Sequence, residues 1–521
     1  LQVVKAEEYS EMAKKSRTVS FETTPRRGTI YDRNGVVLAV SIDATTIYAN
    51  PSEIVEPHQT ALALAAVLGG DVNTYKDKLS SGSNTFAYIK RQADVEEANR
   101  VKELGLKGIY FIADTRREYP QGEVGGQIVG FCDADGKGIT GLELYYDDIL
   151  SGEKGIYIAE RGADGRPIVG GVMVETPPTD GTDITISLDI ALQSYVEETL
   201  KRNAELRNAT GGVITVMDSA TGEFYASTSL PLFDPSDVAN NYIGSDQLKV
   251  VTQILEPGSV FKTIAALSLL DNGFKDSDSI FCPVTITADE YTVSDSTKRD
   301  AMDMTLREVI RRSSNVGISL FVESMGFEKF YDTIVSYGFG KRIGVDYPGE
   351  AAGTVQNFDR WGRIIGYNNT FGQGISVTPL QIIRVYAALR NGGYAVTPHF
   401  LLKESAASEK ITYDKTMLIE SQNTRDTMIS MLETVVSDGT GKTADINGFT
   451  VAGKTSTAEI AELGVYKEDV YNMSFVGFLP ESNSSLVCYV GLYEVAYEVT
   501  VGSMFADIMN YAITQYRITE N

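Results

Sequence analysis

The chain has 521 residues, 43% of them hydrophobic, and a formal net charge of −24. That length predicts roughly two to four domains around a large buried core. The acidity, with no dense Lys/Arg run, excludes the basic footprint of a nucleic-acid binder and reads as a device for solubility. Three cysteines, Cys132, Cys282 and Cys488, lie far apart without a CxxC pair. No metal site of the usual spacing and no cofactor is therefore expected. No apolar run reaches the roughly 18 residues that a bilayer span needs. The chain opens on Leu1 rather than methionine, and a signal or anchor helix is expected to precede it.

In chain order, Lys5–Lys15 reads as an amphipathic helix. Asn34-Gly35, between Ile30-Tyr31 and Val36-Val37-Leu38, predicts a hairpin with a two-residue turn. Residues 51–105 carry Ala/Leu periodicity and read as helical. Residues 107–185 are glycine-rich with short β-like runs, and Pro177–Gly181 reads as a linker. Ile184–Leu188 alternates as a strand, and Asp189–Arg207 reads as a long amphipathic helix. Val213–Met217 and Glu223–Thr228 are strand-like, joined by the turn Asp218–Gly222. Thr305–Arg312 and Leu380–Asn391 read as helices. Phe449–Ala452, Met473–Phe478 and Leu486–Leu492 read as strands. Strands at both ends with helices between them predict one α+β domain, whose sheet joins the two ends.

The chemistry lies in three short segments. In Glu256-Pro257-Gly258-Ser259-Val260-Phe261-Lys262, Pro-Gly breaks the preceding structure, and the Ala/Leu/Ile run after it favours a helix that Asn272-Gly273 ends. Ser259 and Lys262 then stand at i, i+3 on one face. A serine hydroxyl needs a base, and a lysine whose pKa is depressed by burial can act as one. Taken alone, the pattern reads rather as an N-cap serine followed by a surface lysine. Ser151-Gly152-Glu153-Lys154 repeats it in a glycine-broken turn and is read as coincidence. The only histidines, His58 and His399, each follow a proline and are read as structural or surface residues, which disfavours a Ser-His-Asp triad.

The second segment is Ser313-Ser314-Asn315, at the end of a helix that the capping box Thr305–Glu308 starts. The third, Val451–Ala458, reads as a strand in which Lys454, Thr455 and Thr457 offer a cation and hydroxyls to hold a carboxylate. Ser-x-Asn recurs at Ser421–Asn423, and Lys-Thr at Lys415-Thr416 and Lys442-Thr443, so neither is specific alone. The ordered set Ser-x-x-Lys, Ser-x-Asn, Lys-Thr is specific.

On these residues the chain resembles the class B penicillin-binding proteins. Further likeness lies in Arg27–Gly35 with Leu38-Ala39, in Arg117-Glu118-Tyr119-Pro120, in Gly138–Glu143, in Phe371–Gln381 and in Gly439-Thr440-Gly441. The resemblance implies an elongated N-terminal pedestal or dimerisation domain over residues 1–182. It implies a transpeptidase domain, an antiparallel sheet flanked by helices, over residues 183–521. It implies a peptidoglycan D,D-transpeptidase of division or sporulation type, inhibited by β-lactams. Ser259 would be the nucleophile, Lys262 the general base, Ser313 the proton relay, Asn315 a substrate-amide contact and Lys454 an electrostatic partner. Thr455, Ser456 and Thr457 would bind substrate, and the backbone N–H groups of Ser259 and Thr457 would form the oxyanion hole.

Ser456 stands where the family has glycine, and its side chain is expected to narrow the cleft. No glycosyltransferase signature is present, so glycan polymerisation would fall to a membrane partner of the SEDS polymerase family, alongside other division or wall proteins. The expected location is the bacterial cell membrane, through a single N-terminal anchor helix outside this chain, with the catalytic part extracytoplasmic. Two rivals remain at this point: a hydrolase (a carboxypeptidase or β-lactamase), and a catalytically silent β-lactam-binding scaffold.

Overall fold

The computed structural model describes residues 18–23, 25–80, 86–161, 167–288, 290–405, 409–462 and 465–521. The amphipathic helix expected at Lys5–Lys15 lies outside them. Among the described residues, no helix is long and apolar enough to cross a membrane.

The C-terminal half is built on a five-stranded antiparallel sheet. Its order is Phe224–Ser229, Gly211–Asp218, Leu486–Val495, Val465–Phe478, Ala452–Glu462. Two strands come from before residue 230 and three from after residue 451, so the ends meet in one sheet as the patterning predicts. The central strands are buried on both faces and alternate with period 2. Val213, Met217, Val487 and Tyr489 join one core cluster. Ile214, Val216, Cys488 and Val490 join the other. The second cluster is closed by the helices Ile190–Arg207 and Gly502–Tyr516. The first is covered by the helices Lys262–Asp271, Pro379–Arg390 and Gln422–Ser437. Ala452–Glu462 ends the sheet, so one side of it is left to face other elements.

The structure corrects several of these expectations. Residues 51–105 are not uniformly helical: the helices Pro57–Leu68, Val72–Leu79 and Val95–Glu103 are interrupted by the strand Ala87–Ala93. That strand pairs with the 13-residue strand Val37–Ala49, so tertiary pairing outweighs the local Ala/Leu pattern. Asn34-Gly35 does not make a two-residue turn. Asp32 accepts hydrogen bonds from the amides of Asn34 and Val36, which stretches the connection from Tyr31 to Val37. Pro177–Gly181 is pinned rather than free: the Thr179 and Glu153 backbones exchange hydrogen bonds, and the Gly181 amide donates to Arg26 O. The strand expected at Phe449 begins only at Ala452.

The N-terminal half is keyed by a buried ion network. Glu143, fully buried, accepts from Arg27 Nε at 2.5 Å and from Arg117 Nε at 2.7 Å, while Arg27 Nη1 reaches Asp147 at 2.6 Å. Arg27, Arg117 and Glu143 come from the three N-terminal segments that carry the family likeness, and Arg27 and Glu143 are 116 positions apart in the chain. Removing the shared carboxylate leaves two buried guanidiniums short of a counter-charge, a loss that typically costs about 3–5 kcal/mol. Glu143→Ala is therefore expected to destabilise the N-terminal half by that amount in a denaturant titration.

Candidate active site

Ser259 sits in a 3-10 turn, Gly258–Phe261, that runs into the α-helix Lys262–Asp271. Pro257 and Gly258 start it as expected, and Gly258 has φ +60°, a conformation that favours glycine. Asn272 caps the end, followed by Gly273 at φ +91°. The helix is buried from Lys262 to Leu269, which explains its apolar composition and places Lys262 in the interior. Tyr386 steadies the turn: its hydroxyl donates to Val260 O at 3.1 Å and pairs with Thr263 Oγ1 at 2.7 Å.

Ser313 lies between two helices, Leu306–Arg312 and Asn315–Met325, with φ +61°. The capping box at Thr305 and Glu308 is formed. Ser314 caps the second helix, accepting from the Gly317 amide at 2.9 Å. Left-handed backbone at a serine costs of order 1 kcal/mol and has to be held by its surroundings. Asp295 supplies that hold. It accepts from Ser314 Oγ at 2.9 Å, from the Val316 amide at 3.0 Å and from Arg299 Nε at 2.6 Å. Next to it, Ser294 O accepts from Asn315 Nδ2 at 2.9 Å.

Lys454 projects from the edge strand Ala452–Glu462 and is fully buried. Its amine donates to Ser313 Oγ and to Thr455 O, both at 3.0 Å. From the other side, the Lys262 amine donates to Ser313 O at 2.5 Å and Ser313 Oγ at 3.2 Å. The three motifs thus converge on one hydroxyl. Burial drives the Lys262 amine well below the ordinary lysine pKa. The neighbouring Lys454 pushes it the same way, and Asp295 opposes. Burial lowers Lys454 to about 7. Both amines reach the same Ser313 hydroxyl, so charge on Lys454 works against charge on Lys262.

Ser259 is partly exposed, and its hydroxyl is not hydrogen-bonded to Lys262, whose amine turns to Ser313 instead. Such contacts commonly tighten only with substrate bound. Thr455 and Thr457 are partly exposed, and Thr440 Oγ1 pairs with Thr455 Oγ1 at 2.7 Å, bringing Gly439–Gly441 to the site. Ser456 departs from the expected role. It is only 3% exposed and donates to Pro257 O at 2.8 Å, so its hydroxyl is committed inward and not to substrate. The side chain expected to narrow the cleft is thus packed against the turn that carries Ser259. Neither histidine joins the site: His58 is exposed, and His399 is buried and stacked on Tyr413 at 3.5 Å. Ser151 ends a short helix before Gly152 at φ +67°, a turn as its glycine implies.

Sequence reading missed Asp295, Arg299 and Tyr386. Asp295 stands in a polar stretch about twenty residues ahead of its partners, and no spacing rule ties a hairpin end to a later helix cap.

Comparison with known proteins agrees with this geometry. The family model described as penicillin binding protein transpeptidase domain matches residues 212–510, and the penicillin-binding protein dimerisation domain matches residues 22–186. Stage V sporulation protein D of Bacillus subtilis is 33% identical over 513 residues, covering 94% of this chain and 78% of that protein. The probable peptidoglycan D,D-transpeptidase PenA of Neisseria meningitidis is 32% identical over 489 residues, covering 92% and 82%. The crystal structure of penicillin binding protein 3 from Mycobacterium tuberculosis, complexed with aztreonam, superposes with a TM-score of 0.75 at 26% identity, covering 96% and 98%. With both domains matched, this chain belongs to the class B penicillin-binding proteins, the serine-type D,D-transpeptidases of peptidoglycan synthesis.

Proposed function

We propose that the protein cross-links peptidoglycan stem peptides through an acyl-enzyme on Ser259, in septal or spore wall synthesis. The observation that carries this reading is the Ser313 hydroxyl, which takes the amines of both Lys262 and Lys454 within 3.2 Å. In the reaction, Ser259 Oγ attacks the carbonyl of the penultimate D-alanine, and its proton passes to neutral Lys262. The backbone N–H groups of Ser259 and Thr457 hold the oxyanion. The proton then travels through Ser313 to the leaving amine of the terminal D-alanine. An amine of a neighbouring stem peptide resolves the ester. Asn315 holds the substrate amide, Thr455 and Thr457 hold its carboxylate, and Lys454 supplies the electrostatics of the relay. A β-lactam follows the same path and stops at the ester.

The domain division we propose is a non-catalytic pedestal over residues 1–182 and the transpeptidase over 183–521. An N-terminal anchor helix ahead of this chain would tether it to the bacterial membrane, with the catalytic half outside. A SEDS-type polymerase would supply the glycan strands.

Intact-mass analysis after incubation with a penicillin is expected to show one adduct, lost in Ser259→Ala. A wild type with no adduct would defeat the proposal, and rapid turnover of the penicillin would favour a hydrolase. The lysine pair makes a second prediction. Acylation needs the neutral base, so its rate should rise through an acid limb well below the usual lysine range. Lys454→Met removes the like charge that depresses Lys262, so Lys262 should hold its proton to higher pH. The acid limb of the residual acylation should therefore move upward in stopped-flow measurements across pH.

A further inference from the structure

We propose that Ser456 is a positioning residue: by holding the Pro257 carbonyl, its hydroxyl fixes the turn that presents Ser259 and the spacing of the oxyanion hole. The inference rests on the transpeptidase reading and adds a residue to its machinery. The bond joins two segments that are otherwise only packed together. Pro257 lies two residues before Ser259, and Ser456 lies one residue before Thr457, so the two proposed oxyanion donors sit on the two segments that this hydroxyl links.

The turn is gripped from its other side as well. The Gly258 amide donates to Gly372 O at 3.0 Å, and Leu255 and Val377 pair in the same antiparallel stretch. There is no slack between the two grips. A Cβ at Gly258 would lie 2.5 Å from Ser456 Oγ and 2.9 Å from Ala458 Cβ, and a Cβ at Gly372 would lie 2.3 Å from Gly258 O. Glycine at 456 would remove this side-chain donor to Pro257 O and leave the strand side of the grip to packing alone. Attack geometry is sensitive to such freedom: a displacement of about 1 Å can cost about a hundredfold in rate. One neutral buried hydrogen bond restrains only part of that displacement, so a smaller loss, about five- to tenfold, is expected.

The test uses the full chain and a fluorescent penicillin. Ser456→Ala should slow the saturating acylation rate constant about five- to tenfold. The dissociation constant of the non-covalent complex and the acid limb of the pH profile should stay in place. Ser456→Thr, which keeps the hydroxyl, should recover most of the rate, and Ser456→Gly should be at least as slow as Ser456→Ala. Hydrogen exchange at the amides of Ser259–Phe261 should quicken in the alanine and glycine variants and not in the threonine one. Ser456→Ala acylating at the wild-type rate would overturn the proposal. So would a loss confined to the dissociation constant, which would make Ser456 a substrate contact. A wild type that forms no adduct on Ser259 would instead bring down the transpeptidase reading, and this proposal with it.

Discussion

Everything in the catalytic half depends on two lysine amines brought out of water around one serine hydroxyl. Burying an ammonium group is unfavourable unless it is paired, and here the direct acceptors are all neutral: Ser313 Oγ, Ser313 O and Thr455 O. Asp295 is the carboxylate felt at Lys262, and it is already engaged by Ser314, Val316 and Arg299. Shedding a proton is then the more favourable course for the pair. A fold that buries the amines in this way obtains a base at neutral pH without a histidine, which suits a chain whose two histidines are both elsewhere.

The sheet makes the arrangement geometrically possible. Lys454 is anchored on an edge strand whose sheet has a fully buried centre, and Lys262 begins a helix buried for two turns. Both amines thus start from rigid backbone and converge on a residue that is itself strained. Ser313 keeps its left-handed backbone because Ser314 and Asn315 are tied, through Asp295 and Ser294, to the hairpin formed by Thr285–Ala288 and Tyr291–Ser294. The long insertion between residues 230 and 450 therefore carries Ser259 and Ser313 to the edge strand Ala452–Glu462, the first strand that the chain adds after it.

Much of this was legible in the sequence, for identifiable reasons. The Pro-Gly break, the i, i+3 spacing of Ser259 and Lys262 and the capping box at Thr305 are local features, and local rules read them correctly. The strand-like apolar runs at both ends of the catalytic half revealed the sheet because burial on two faces leaves a strong, near-continuous apolar signal. Where reading failed, the deciding interaction was distant or polar. Ala87–Ala93 is a strand because Val37–Ala49 lies beside it. The turn after Tyr31 follows the Asp32 carboxylate rather than Asn34-Gly35. Ser456 was grouped with Thr455 and Thr457 by resemblance, which does not show that its hydroxyl meets Pro257 O.

The same distinction separates a pedestal from a tether. Ile30–Tyr31 pairs in parallel with Ile184–Ile186, which in turn pairs with Leu401–Glu404 from deep within the catalytic half. Tyr146 donates to Asp346 at 2.6 Å, and Asp346 also accepts the amides of Phe400 and Leu401. Gln127 donates to Ser229 O, Pro231 O and Ser245 O and accepts from Tyr347 through its carbonyl. These bonds are buried or nearly so, and buried polar groups separated from their partners are costly, so parting the two halves would break several of them at once. The N-terminal half is accordingly a mount bonded directly to the catalytic half. Its buried Arg27–Glu143–Arg117 network holds that mount together.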